Sequence, residues 1–387
     1  MRFYKLIYIF VLQSGFAYLS EAQIAVKGKV VAMDGNPIPY ANITFRNFGT
    51  CSNDMGLFGL NISGVNKTIV IKISCVGYET KEVAVNQISP SIDLGTVTLN
   101  VKIMTLDEVM VKAKMTTVEE TLEKIYKNLG KNFSEKPFQR QVLARVNKFD
   151  QARKLLQVVN VAFDEYCPKG YTKNLKRTIN LTHGHSAGEG KYASVDGEEL
   201  FWIDLFFLRR HDAYLYSHPY TSRKGYSYQI DNNFYEYDGM SAIAIAYTLL
   251  NPSDGKNGGW PNATKLTGKI YINETDYAIV RIEETILLRD YNPKDKSTQE
   301  KKFNKAIQFK QLTNTVNFKK SNGYYYLSDS HVERKNGNSD DDWAVVKSDL
   351  IVTEYKPFQV ECNPCNIDFS KTIQGAKFWQ NQPSLID

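Results

Sequence analysis

Two short motifs carry side chains able to do chemistry. His183-Gly-His185 sets two imidazoles two residues apart. If the strand-like Thr178–Leu181 continues, both fall on one face and suit a transition metal. Cys362-Asn-Pro-Cys365 has the spacing of a thiol-redox pair, which needs a thiolate stabilised by a helix N-terminus or a cation. The catalytic alternative is therefore a metal-dependent hydrolase using His183 and His185, or a redox enzyme using Cys362 and Cys365. Both motifs also have plainer readings. Gly184 to Gly190 reads as a glycine-rich loop, and the cysteines precede a polar tail, where a local disulfide between Cys362 and Cys365 is the simpler expectation. A His-x-x-Glu zinc pair is absent, because none of the five histidines has an acidic residue three positions later. There is no Gly-x-Ser-x-Gly elbow and no phosphate loop. Asp340-Asp-Asp342 reads as solvated carboxylates rather than a calcium site. These residues point to a non-enzymatic protein with no cofactor and no resident metal.

The aromatic residues offer binding instead. The 24 tyrosines concentrate in alternating segments, which favours strands. Trp202, Phe206, Tyr226, Tyr235, Tyr271 and Tyr325 are the candidates to line a groove between sheet and helix. Such a groove suits a glycan or a lipid-like ligand. Singly, each of these rings also makes an ordinary core residue.

The elements that must position them change character along the chain. Residues 24–112 read as short strands separated by turn signals at Asp34-Gly35 and Asn53–Gly56, the pattern of a small sandwich. From Thr116 to Phe133 the period becomes helical, with Val118, Leu122, Ile125 and Leu129 on one face. Thr116 with Glu119, or Thr117 with Glu120, supplies a capping box, and Gly130 marks the stop. This helix is a joint or the first element of a second region. Strands return after Pro137 as long hairpins. A helix is expected over Glu198–Arg210, and two short strands, Tyr226–Ile230 and Phe234–Tyr237, around Asp231-Asn-Asn233. Hairpins with few helices predict an α+β region built on a large curved antiparallel sheet.

The N-terminus sets the compartment. Residues 1–22 run from a basic start through a short apolar stretch to Ser20-Glu-Ala22, which reads as a secretory signal peptide. The net charge of +6 is dispersed, so no nucleic-acid partner is indicated. Five cysteines in an exported chain allow disulfides but leave one over, and Cys51 and Cys75 read as sandwich core residues or a cross-link.

Gly28, Val30, Gly35, Pro37, Ile38, Ala41, Ile43, Gly49, Thr50, Asp54, Gly56, Phe58, Ser74, Gly77 and Tyr78 resemble the carboxypeptidase regulatory-like domain of Gram-negative envelope proteins. That resemblance implies an immunoglobulin- or prealbumin-like β-sandwich over residues 23–113, in the periplasm or at the outer membrane. Leu106–Ala113 is similar to the segment that follows this domain in TonB-dependent receptors, which would make an outer-membrane or TonB-linked envelope protein the partner. The simpler reading of that segment is the last sandwich strand. Lys127–Phe138, Gly268–Asn273, Tyr277–Glu283 and Tyr324–Leu327 resemble the C-terminal module often attached to this domain, and the strand Gly268–Ile272 followed by Ala278–Ile282 resembles part of a lipoprotein-carrier half-barrel. The expected order is signal peptide 1–22, sandwich 23–113, linker helix 114–136, curved-sheet domain 137–360 and polar tail 361–387. The function expected is binding or scaffolding.

Overall fold

The computed structural model describes residues 24–46, 48–63, 68–85, 89–105, 117–172, 177–188, 205, 207–213, 215–216, 220, 225–251, 263–288, 309–336 and 343–357. Trp202, Phe206, Cys362, Cys365, Asp340–Asp342, the segment 1–22 and Leu106–Ala113 lie outside the described residues.

The first region supplies β1 (Ile24–Ala32), β2 (Asn42–Phe45), β3 (Phe48–Cys51), β4 (Leu57–Ile62), β5 (Ile69–Ser74), β6 (Lys81–Val85), β7 (Ser91–Leu99) and β8 (Ile103–Thr105). One layer has the order β4-β1-β7, with β1 and β7 parallel; the other runs β6-β5-β2-β3. Period two drives the packing. Ile69, Ile71 and Ile73 are buried while Val70 between them is exposed, and the inward set meets Val26, Val30, Ile43 and Phe58. Gly56 makes the turn into β4 at φ +78°, where a Cβ would lie 2.3 Å from the Val30 carbonyl oxygen. Strand β3 adds a short pairing between the turn signals that the sequence shows.

The helix α1 (Val118–Asn132) starts as the sequence indicates. Thr117 and Glu120 form both halves of the capping box, each contact 3.2 Å. It runs past Gly130 to end at Phe133, whose extended backbone breaks the helix while its N–H bonds Leu129 O at 2.7 Å. Burial of Phe133 overrides the glycine signal. Leu122, Ile125, Leu129 and Phe133 all enter the second core, so α1 packs as the first element of the second region.

That region continues with β9 (Phe138–Phe149), β10 (Leu155–Cys167), β11 (Thr178–Gly188), the single turn α2 (Arg210–Ala213), β12 (Tyr226–Tyr237), β13 (Met240–Leu249), β14 (Ala263–Asn273), β15 (Ile279–Leu288), β16 (Gln311–Ser321), β17 (Tyr324–Lys335) and β18 (Val345–Pro357). The strands pair antiparallel in the order β11-β10-β9-β18-β17-β16-β15-β14-β13-β12. Two expectations need correction. Tyr226–Tyr237 is one strand, since the Asp231–Asn233 turn signal is absorbed as a register shift between Ile230 and Phe234. The expected loop from Gly184 is strand through Gly188, because Gly184 pairs with Val161 and keeps the ladder intact.

The two regions share a 15-stranded sheet. Strand β3 meets β18 at Phe48 and Glu354, and β8 adds to the far edge through Ile103–Tyr235 and Thr105–Asn233 pairing. The sheet thus has a helix face under α1 and an opposite face against the sandwich.

Candidate functional site at the sandwich–sheet boundary

Cross-strand register fixes which side chains meet the sandwich, because directly opposed residues share a face. One row runs Glu283, Thr315, His331, Asp349, Arg145, Asn160 and His185 across β15 to β11. The next runs Tyr271, Arg281, Asn317, Asp329, Ile351, Leu143, Ala162 and His183. Cys51, at the end of β3, packs onto Leu143, Ala162 and Ile351 of this second row.

His331 is the hub. Its Nδ1 lies 2.7 Å from Asp349 Oδ1, and its Nε2 lies 3.0 Å from Asp329 Oδ1 and 3.6 Å from Cys51 Sγ. Tyr40 stacks on the imidazole at 3.7 Å between ring centroids and donates its hydroxyl to Asp54 at 2.6 Å. Asn317 Nδ2 donates to Asp329 Oδ1 at 2.6 Å. Burial works against the imidazolium, yet Cys51 and the two carboxylates hold the His331 pKa well above the usual histidine range. Burial pushes the Cys51 thiol up to about 11, despite the neighbouring imidazole. Lys319 is buried with Nζ lacking a hydrogen-bond partner, and desolvation lowers its pKa to about 8 against the pull of Asp329 and Asp238. Cys51, His331 and Asp349 have the order of a nucleophile, base and orienter. Burial nonetheless works against the thiolate, and Tyr40 covers one face of the ring.

Two clefts flank the hub. The larger, about 520 Å³, is floored by Thr315, His331, Asp349 and Arg145 and by the parallel row Thr313, Glu333, Lys347 and Asn147. The sandwich roofs it with Tyr40 and the Asn53–Met55 turn, and Lys347 pairs with Asp54 across it. The smaller, about 360 Å³, lies between β3–β4 and β9–β10, with His183 and Asp164 in its wall. Elsewhere the boundary is closed by ion pairs and backbone contacts. Lys72 meets Asp238 at 2.7 Å, Lys102 meets Glu236 at 2.7 Å, and the Gly77 N–H bonds Glu236 O.

The sequence of the sandwich has a recognisable match. Residues 26–111 fit the family model of the CarboxypepD_reg-like domain. The sandwich is a CarboxypepD_reg-like domain. No curated protein matches the chain. Among solved structures, a LolA superfamily protein from Nitrosomonas europaea is 10% identical and covers 64% of this chain and 96% of its own, at a TM-score of 0.25. A domain classed as an outer membrane lipoprotein-sorting protein, from Vibrio parahaemolyticus, is 10% identical over 65% of this chain and 97% of its own, at a TM-score of 0.28.

Against this frame the expected aromatics divide between two faces. Tyr325 is buried on the helix face against Phe133, its hydroxyl accepting from Asn273 Nδ2 at 2.8 Å. Tyr226 packs there too, 5.8 Å from Tyr247 between centroids. Tyr235 and Tyr271 meet edge-on at 5.2 Å, with Tyr271 in the row that faces the CarboxypepD_reg-like domain. These four rings therefore do not line one groove. His183 and His185 do share a face, but they sit opposite Ala162 and Asn160 in separate rows. Among the described residues, the His/Cys/Asp/Glu group with three ligand atoms within 4.8 Å is Cys51, Asp329 and His331. Cys51 and Cys75 are free thiols rather than a cross-link, and Cys167 is also free.

On the helix face a separate ionic cluster is wholly structural in setting. Arg140 is fully buried and bonds Glu165 through Nε at 2.6 Å and Asp212 of α2 at 2.9 Å, with Arg177 and Arg209 closing the ring. Sequence reading missed this cluster and the His331 hub alike. For the hub the available signal was the run Ser328-Asp-Ser-His331, buried in the middle of β17.

Proposed function

We propose that this chain is an exported, non-catalytic envelope protein that binds a polar, glycan-like ligand in the 520 Å³ cleft between its CarboxypepD_reg-like domain and the sheet. The composition of that cleft carries the reading. Asn53, Asn147, Thr313, Thr315, Arg145 and Glu333 present amide, hydroxyl and charged groups around the Tyr40 ring, and Asn147 Oδ1 is buried without a hydrogen-bond partner. Sites with convergent polar groups and an aromatic wall at a domain boundary are favoured places for small ligands. Filling of the helix face by α1 side chains supports this face over the sheet–helix interior. The burial of Cys51 and the stacking of Tyr40 over the His331 ring support binding over catalysis. The basic-then-apolar segment 1–22 supports export. Native mass spectrometry of the full chain isolated from the envelope fraction tests the proposal. A co-purifying mass should be present in the wild type and lost in Thr315→Trp, which fills the cleft. A mass retained by the folded variant, or absent from both, refutes it.

A further inference from the structure

We propose that Cys51, His331 and Asp329 form a binding site for a divalent transition metal of the zinc class, joining the CarboxypepD_reg-like domain to the sheet. This goes beyond the cleft reading and does not depend on it. Thiolate, imidazole and carboxylate are the donor types such ions take. With Zn–S near ~2.3 Å and Zn–N near ~2.0 Å, two tetrahedral ligands lie roughly 3.5 Å apart. Cys51 Sγ and His331 Nε2 are 3.6 Å apart, and His331 Nε2 and Asp329 Oδ1 are 3.0 Å apart. The ion therefore fits with small side-chain shifts.

Two further observations point the same way. His331 turns its other nitrogen, Nδ1, to the Asp349 carboxylate at 2.7 Å, the arrangement that orients metal-binding imidazoles and makes them better donors. Asp329 is fully buried, and its Oδ2 has no hydrogen-bond partner. The Lys319 ammonium is electrostatically coupled to Asp329, but its Nζ is likewise unpartnered. A buried carboxylate oxygen left without a partner carries a large desolvation cost, which a cation offsets. His331 also borders the 520 Å³ cleft. Cys51 and His331 belong to different regions, so the ion would tie β3 of the sandwich to β17 of the sheet.

The test is titration of the untagged, chelator-treated full chain with Co²⁺, read by the thiolate-to-cobalt charge-transfer band and by competition with Zn²⁺. The expected result is one ion per chain, with the band lost in Cys51→Ser and kept in a Cys362→Ser, Cys365→Ser chain. Asp349→Asn should weaken affinity about 10–100-fold through loss of the orienting carboxylate. A missing band, or one that survives Cys51→Ser, overturns the site. If Cys51→Ser does not fold by circular dichroism, Asp349→Asn decides: unchanged Co²⁺ affinity overturns it.

Discussion

Lys319 offers the sharpest energetic test of how the boundary is built. Its side chain lies buried between β16 and β3, and a Cβ on Gly49 would stand 2.0 Å from its Nζ, so the glycine makes its seat. Desolvation lowers its pKa from 10.5 to about 8, with Asp329 and Asp238 only partly compensating. That difference corresponds to a penalty of roughly 3 kcal/mol for burying the charge. The sign follows from proton binding. Below about pH 8 both folded and unfolded chains carry the proton, and the penalty is fully present. Between about pH 8 and pH 10.5 the unfolded chain holds a proton that the folded chain has released, so stability rises with pH. Lys319→Met keeps the length and removes the charge. Urea unfolding near neutral pH should show a gain of up to about 3 kcal/mol, shrinking to nothing at high pH as the wild type catches up. A variant that is less stable at neutral pH, or that keeps the wild-type rise with pH, refutes a desolvated lysine and implies that its charge is needed to hold Asp329.

Other outcomes follow from the helix face. Phe133→Ala removes a fully buried ring packed edge-on against Tyr171 and Phe318, and should cost about 3–5 kcal/mol in urea unfolding. Burial alone would raise the Glu165 pKa, but Arg140, Arg177 and Arg209 lower it from 4.5 to about 2. Its stabilisation of roughly 3 kcal/mol is therefore present above about pH 4.5 and lost as pH falls toward 2, and Glu165→Gln should abolish that acid limb in a pH series. Gly170→Ala should destabilise by at least ~2 kcal/mol, since φ is +59° and the new Cβ would lie 2.3 Å from the Ser134 carbonyl oxygen.

Much of the fold was readable because it rests on local rules. Alternation located most strands, the 3.6 period located α1, and Thr117–Glu120 marked its start. Gly130 misled because a buried Phe133, invisible to a local rule, sets the end. The boundary was not readable. Alternation says that Asp329 and His331 share a face, but not that a sandwich strand covers it. Cys51 and His331 are 280 residues apart, and only the β3–β18 junction brings them together. Tyr226, Tyr235, Tyr271 and Tyr325 looked like parts of one lining because composition carries no information about faces. Tyr226 and Tyr235 lie an odd number of residues apart on one strand, so alternation alone puts them on opposite sides.

The most direct test of binding at the sandwich–sheet cleft is photo-crosslinking in cells with a benzophenone side chain at Met55, which is exposed on the cleft roof, or at Tyr126, which is exposed on α1. A covalent adduct of a polar, glycan-like ligand is expected at position 55 and none at position 126. No adduct at 55, or an adduct at 126 instead, would contradict binding at the cleft.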